Sequence, residues 1–238
     1  MTAALVMAGG RSERMRAHGD ARHKALRPVA GRRLIDWNLQ ALRYFGFADL
    51  YVAVNAQEHE LIDYLRRCQL RLLLEQAPLG TIGAARRLPS SVTDVLVVNA
   101  DNLTDLNLAA LARFHVAHDA AMTIASHEEA FSIPWGSVKV DGDRVVAYDE
   151  KPRVPVRVSS GVYVLNQRAI EMIKPKRRLD VPELVATLLA AGASVRTWAH
   201  SAQWIDVNDE TSLTRAECVV RESGTCWPGS ELLQDASA

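Results

Sequence analysis

The chain has 238 residues, 48% of them apolar, enough for one large domain with a sizeable core. Its 28 basic and 28 acidic residues cancel, so no overall field draws it to nucleic acid or an anionic membrane, and any bound anion must be held by local Arg and Lys. No apolar run approaches the ~20 residues of a membrane span. The first ten residues lack the basic start and long apolar stretch of a secretory leader. Cys68, Cys218 and Cys226 are dispersed, without disulfide-framework or metal-like spacing. We therefore expect a soluble, cytoplasmic protein with neither nucleic acid nor membrane as partner.

Taken in order, Leu5 to Met7 predicts a strand emptying into Gly9-Gly10. Leu34 to Tyr44 carries apolar residues at helical spacing, and Leu50 to Val54 is strand again. An amphipathic helix with Leu61, Ile62 and Leu65 on one side precedes a third strand, Leu70 to Leu74, and a helical stretch from Gly83 to Leu88. Val95 to Val98 is continuous and rich in Val, the mark of a strand buried on both faces. A helix through Leu108, Leu111, Ala112 and His115 leads to a strand at Met122 to Ala125. This strand–helix alternation predicts an α/β fold with a mostly parallel central sheet and helices on both faces.

After Ser126 the pattern changes. Ser137 to Val140 and Val145 to Tyr148 flank the turn Asp141-Gly142-Asp143, predicting a hairpin. Val156 to Val158 and Val162 to Leu165 read as two further extended segments. Helices follow near Asn166 and Asp180, the second marked by Pro182 in its first turn and Glu183 three residues past the cap. Val195 to Ala199 and Trp204 to Val207 predict short strands, and a helix from about Asp209 to Val220 closes the fold. We expect one continuous domain over 1–222 and a loosely held tail over 223–238.

Three strand ends carry the candidate chemistry. Gly9-Gly10 followed by Arg11, Arg14 and Lys24 offers bare amides and fixed cations suited to polyphosphate. The spacing is neither a dinucleotide fingerprint nor a P-loop, and solvated basic residues are the plain alternative. Asp101 directly follows a fully apolar strand, and Asp206 ends another. Mg²⁺ takes one or two protein carboxylates plus substrate phosphates, so two strand-end aspartates would suit a phosphate-bridging cation; helix or turn capping is the rival role for each. Glu150-Lys151-Pro152, a charged pair before a proline, reads equally as a turn.

Six segments in order then resemble the sugar-1-phosphate nucleotidyltransferases, the nucleoside-diphosphate-sugar pyrophosphorylases. Ala8-Gly9-Gly10 through Arg14-Met15 resembles G-G-x-G-x-R-[LM], with Lys24 at the signature lysine. Glu75 to Ala84 resembles E-x-x-P-L-G-T-A-G-A, and Asn99-Ala100-Asp101 stands for N-G-D. Glu150-Lys151-Pro152 is E-K-P unchanged, Ser160-Gly161-Val162-Tyr163 is similar to A-G-I-Y, and Trp204-Ile205-Asp206-Val207 to W-x-D-[IV].

The resemblance implies the nucleotide-diphospho-sugar transferase fold, a Rossmann-like sheet with a small antiparallel insertion on the sugar side. It implies that Ala8, Gly9, Gly10 and Arg14 cradle a triphosphate, with Lys24 on the phosphates. Glu75 and Gly80 would lie at base and ribose, Asp101 and Asp206 would hold Mg²⁺, Lys151 with Glu150 would meet the sugar phosphate, and Gly161 would let the sugar approach the backbone. The implied substrates are an NTP and a sugar 1-phosphate, most like the mannose- and heptose-1-phosphate guanylyltransferases, with uridylyltransferases next. A homodimer is among the oligomeric states left open. Ser12, Ala100, Ser159 and Asn208 depart from the signatures, and His23 and Ala25 replace prolines around Lys24. A non-catalytic nucleotide- or sugar-binding module and a metal-dependent glycosyltransferase stay as alternatives.

Overall fold

Ala3-Ala4-Leu5-Val6-Met7-Ala8 forms β1 (Ala3–Ala8) at the middle of the sheet. In the computed structural model, which describes residues 2–10, 22–223 and 227–228, its residues alternate between two cores. Ala4, Val6 and Ala8 enter one apolar cluster, Ala3 and Leu5 the other. A strand buried on both faces needs apolar residues at every position, which explains the lack of alternation in its sequence.

A small hairpin of β2 (Pro28–Val29) and β3 (Arg32–Arg33) precedes α1 (Leu34–Tyr44). There follow β4 (Leu50–Asn55), α2 (His59–Arg67) and β5 (Arg71–Glu75). Gly83–Arg87, expected as a helix, forms a 3₁₀ turn. Next come β6 (Asp94–Asn99), β7 (Asn102–Thr104), α3 (Leu108–Ala117) and β8 (Met122–Ser132). The expected hairpin is β9 (Ser137–Asp141) with β10 (Arg144–Asp149). The chain ends through β11 (Arg153–Asn166), α4 (Gln167–Met172), α5 (Val181–Ala190), β12 (Val195–Ala199), β13 (Trp204–Asp206) and α6 (Glu210–Ser223).

The seven-stranded sheet has the order β12-β8-β11-β6-β1-β4-β5. β6, β1, β4 and β5 run parallel, β12 runs parallel to β8, and β11 alone is antiparallel to its neighbours β6 and β8. Ile35 and Leu39 of α1, Leu61 and Leu65 of α2 and Leu111 of α3 cover one face. Ile170 of α4, Leu184 and Leu188 of α5 and the 3₁₀ turn cover the other. The mostly parallel, two-sided sheet expected from the sequence is what forms.

Two further segments differ from expectation. Val156 to Val158 and Val162 to Leu165 are one strand, β11, interrupted by an irregularity between Ser159 and Tyr163. Its outer part pairs with β8 out to Arg153 opposite Ser132, so both strands project past the sheet as an arm that carries the β9–β10 hairpin. Trp227, assigned to the tail, is 2% exposed in a third cluster with Val29, Leu34, Trp37, Leu103 and Ile205, edge-to-face with Trp37 at 6.4 Å. Cys68 and Cys218 are free thiols. Among the described residues no helix is long and apolar enough to cross a membrane.

Candidate active site

The parallel strands β1, β5 and β6 deliver their carboxyl ends to one edge, where open α/β sheets take ligands. Beyond β6, Ala100 N–H donates to Met7 O at 3.0 Å, carrying the backbone past the strand end to Asp101. β7 then turns away to pair antiparallel with β13, setting Asn102 opposite Asp206. Val207 N–H donates to Asp101 O at 2.9 Å, extending that ladder. The buried Asn38 amide clamps the corner, donating to Ala100 O at 3.3 Å and Asn102 O at 3.0 Å. Backbone rungs thus bring together two aspartates 105 positions apart in the chain.

Lys24 joins them. Its ammonium forms an ion pair with Asp101, each side chain 18% exposed, and donates to Asn208 Oδ1 at 3.2 Å. The Asn208 amide nitrogen in turn donates to Asp206 Oδ2. In the sequence Asn208 stands out only as a departure from the signatures. Asp209 does the capping, accepting from Ser212 N–H at 2.7 Å, which leaves Asn208 to bridge the charges. His23 sets Lys24 in place. Its Nδ1 accepts from Ala25 N–H at 3.2 Å, so Nε2 carries the proton and donates to Gly10 O at 3.0 Å. The buried imidazole ties the lysine turn to the Gly-Gly turn.

Two carboxylates and one ammonium leave a local charge of −1. All the donors on the aspartates and Asn208 are hard oxygens, which suit Mg²⁺. Among the described residues no group of three or more His, Cys, Asp or Glu could hold a metal alone. Two carboxylates alone leave most of the oxygen shell of such an ion to be filled by other groups.

Glu75 ends β5 and is 2% exposed. Its Oε2 accepts from Leu79 N–H at 3.1 Å, while the buried Oε1 has no hydrogen-bond partner among the described residues. Burial pushes the carboxyl above its usual range, opposed by the Leu79 N–H and by Arg87. A Cβ on Gly9 would lie 2.8 Å from Glu75 Oε2, so the bare turn after β1 permits this approach. The Gly80 loop is docked on the start of α5. Leu179 N–H donates to Leu79 O at 2.9 Å, and Thr81 N–H donates to Asp180 Oδ1 at 2.9 Å, holding that carboxyl below its usual range.

Gly161 has φ +66°, and a Cβ there would stand 2.4 Å from Asn102 Nδ2 and 2.7 Å from Asn99 Nδ2. Its lack of a side chain makes room for two asparagine amides. Asn102 Nδ2 uses that room to donate to Ser160 O at 2.7 Å. Ser159, another departure, donates to Tyr163 OH at 3.1 Å. Glu150 and Lys151 are exposed on the turn leading to the outer end of β11, where Glu150 accepts from Tyr148 OH at 3.3 Å. Lys24, Asp101 and Asp206 are brought together; Glu150 and Lys151 make no hydrogen bond with that trio among the described residues. Ala8, Gly9 and Gly10 end β1 beside it, whereas Arg14, Arg11 and Ser12 lie outside the described residues.

A cavity of about 640 Å³ opens at the root of the arm, lined among others by His127, Glu129, Arg157, His200, Trp204 and Arg215. Ser160 Oγ sits 2.8 Å from both His127 Nδ1 and His200 Nε2. Burial, then the neighbouring His127, pushes His200 down to about 4. These residues lie 33 and 40 positions from Ser160 and left no sequence signal.

The family model described as Nucleotidyl transferase matches residues 3–223. The chain belongs to that family. It is 27% identical over 217 residues to the Dictyostelium discoideum mannose-1-phosphate guanylyltransferase catalytic subunit beta, covering 86% of this chain and 60% of the relative. It is 25% identical over 230 residues to the Candida albicans mannose-1-phosphate guanyltransferase, covering 90% and 63%. The chain thus spans somewhat over half the length of these curated relatives. HddC from Yersinia pseudotuberculosis shares the fold, with a TM-score of 0.70 at 20% identity over 92% of this chain and 99% of that one.

Proposed function

We propose that this nucleotidyl transferase moves a nucleotidyl group from an NTP to a sugar 1-phosphate in the cytoplasm, releasing pyrophosphate. The observation that carries the reading is the Lys24–Asp101–Asn208–Asp206 cluster beside Gly9-Gly10. A sugar 1-phosphate oxygen already bears negative charge, so its attack on the α-phosphorus needs no general base. One P–O bond forms, the bond to the β-phosphate oxygen breaks, and pyrophosphate leaves with the electron pair. Catalysis then rests on alignment and charge neutralisation.

Asp101 and Asp206 would hold Mg²⁺, which when bound supplies Lewis-acid neutralisation of phosphate charge. Lys24 is paired with Asp101 and lies next to the Gly9-Gly10 turn. A cation on the carboxylates would release its ammonium to phosphate oxygens. Arg14 would reach the same triphosphate, and Lys151 with Glu150 the sugar phosphate.

Glu75 Oε1, which has no hydrogen-bond partner among the described residues, favours GTP. Guanine presents an N–H and an adjacent amine, two donors for one carboxylate, whereas uracil and thymine present one N–H between two carbonyls. The names of the relatives at 25% and 27% identity support a mannose-type sugar. A matrix of nucleoside triphosphates against sugar 1-phosphates, scored by Mg²⁺-dependent pyrophosphate release, tests this. GTP with mannose 1-phosphate is expected to lead. No release from any pair would sink the reaction.

A further inference from the structure

We propose that His23 presets the Gly9-Gly10 turn for a triphosphate, through the hydrogen bond from its Nε2 to the Gly10 carbonyl. This rests on the transfer reading and adds to that site a positioning residue at a place where the sequence departs from the signature.

The turn needs something outside itself to hold its shape. Glycine loses more conformational freedom on ordering than any other residue. Gly9 is confined by Glu75, whose Oε2 would lie 2.8 Å from a Cβ on it. Gly10 is exposed, and among the described residues nothing lies within 4 Å of the place where its Cβ would stand. Packing therefore does not fix Gly10. A loop that must be ordered as its ligand arrives binds more weakly than one already in shape.

His23 supplies the missing hold. Its Nε2 donates to Gly10 O at 3.0 Å from a ring that is 2% exposed, and the low dielectric around a buried donor strengthens such a bond. The bond also keeps a carbonyl oxygen, whose partial negative charge would repel phosphate, turned to the imidazole.

The ring is anchored on its other side. His23 caps the 3₁₀ turn Lys24–Leu26 with φ −62° and ψ 135°, and its Nδ1 accepts from Ala25 N–H at 3.2 Å. Ala25 and Leu26 are buried in the core cluster that also holds Ile35 and Leu39 of α1, so the turn cannot shift without unpacking them. With Nδ1 filled by an N–H, a neutral ring can only donate through Nε2. One imidazole thus passes the rigidity of the core to a glycine that has none of its own. A proline at this place would stiffen the lysine turn by fixing φ, but it has no N–H to give Gly10. Histidine exchanges that local stiffness for a tether between the two turns.

The test compares His23→Asn and His23→Gln with the wild type, each first checked for a cooperative melt. Asparagine carries its amide at the level of Nδ1 and glutamine at the level of Nε2, so the two variants separate the two bonds. Calorimetric titration with GTP and Mg²⁺, without sugar, gives the affinity; steady-state rates give KM for GTP and for mannose 1-phosphate. His23→Asn still accepts from Ala25 N–H but does not reach Gly10. It is expected to weaken GTP binding about three- to tenfold, the worth of one hydrogen bond, with KM for mannose 1-phosphate unchanged. His23→Gln keeps a donor for Gly10 and is expected to bind GTP within about twofold of wild type, with a lower melting temperature because the cap on Ala25 is lost. A residue that only held the fold would lower the melting temperature in both variants and leave the GTP affinity of the folded proteins alone. That result, or GTP binding weakened equally in both, overturns the tether while an active wild type keeps the transfer reading. Should the wild type release no pyrophosphate, the transfer reading fails; GTP binding weakened by His23→Asn and kept by His23→Gln would still support the tether, and equal binding in all three proteins would overturn it. A wild type that binds no nucleoside triphosphate overturns both.

Discussion

The parallel half of the sheet, β6, β1, β4 and β5, places its polar groups by backbone rungs. The half built from β11, β8 and β12 places them by side chains that hold other side chains. Asp101 and Asp206 stand where two strands end and are registered by the β7–β13 ladder. His127 and His200 are held through the Ser160 hydroxyl, and Trp204 through the Ser160 carbonyl. Rung-placed groups tolerate loss of a neighbouring side chain. A network held by one serine does not.

The sharpest test of that contrast is at the charged edge. Asp101→Ala and Asp206→Ala each remove a partly buried carboxylate that no rung depends on, so both proteins are expected to fold. Each should lose about two to three orders of magnitude in Mg²⁺-dependent pyrophosphate release, the usual effect of deleting one well-placed electrostatic group. Steady-state rates beside circular dichroism measure it. A rate within a few-fold of wild type in either variant would remove that carboxylate from the chemistry.

Gly161 stands on the border between the halves, and its loss should be felt in stability. Gly161→Ala must hold a φ of +66°, worth about 1–2 kcal/mol, and must push the Asn102 and Asn99 amides off positions 2.4 and 2.7 Å from the new Cβ. The unfolding free energy from urea titration is expected to fall by at least that amount, with further loss as Asn102 gives up its bond to Ser160 O. An unchanged midpoint would mean that the border is not held by that packing.

The two halves also differ in how far the sequence reveals them. Continuous apolar runs and helical spacing located β1, β4, β6, α1, α2 and α3 because burial on two faces dictates those patterns. The two strand-end aspartates were legible for the same reason. Asn208 was not, since its contact with Lys24 spans 184 positions and depends on Asp209 taking over the capping. β11 read as two strands because Val158-Ser159-Ser160-Gly161 breaks the apolar run, and only its pairing with both β8 and β6 shows one strand. β7 has three residues and no periodicity to read. Trp227 sits among small polar residues and Gly, yet an indole that large gains enough from burial to reach the third core.

Acid should separate the halves through His200. Its folded value of about 4, lowered first by burial and then by His127, lies below the ordinary 6.5. Between those values the unfolded chain binds the extra proton and the folded one does not. The stability that depends on neutral His200 is therefore full above pH 6.5 and is lost as pH falls toward 4. His200→Gln should show a shallower fall in melting temperature across that window than wild type. Parallel curves for the two proteins would remove His200 from the acid response.

The smallest effect is expected on the arm. In the β9–β10 hairpin, Val145 lies opposite Val140 and Tyr148 opposite Val138, with the pairing shifted between Val145 and Ala147. Residues 145 and 148 would point to opposite faces of a regular strand; the extra residue turns both to the same side. Val138, Val140, Val145 and Tyr148 thus form one apolar face, 48%, 59%, 61% and 62% exposed. A side chain that remains in water contributes little on folding, so Val140→Thr should change stability by no more than about 0.5 kcal/mol. Threonine keeps the β-branched shape that a strand favours, so the substitution isolates apolar contact from strand propensity. Melting at two protein concentrations reads it. A larger loss, or a wild-type melting temperature that rises with protein concentration, would show that a second copy covers this face, and the arm would be a surface that association buries.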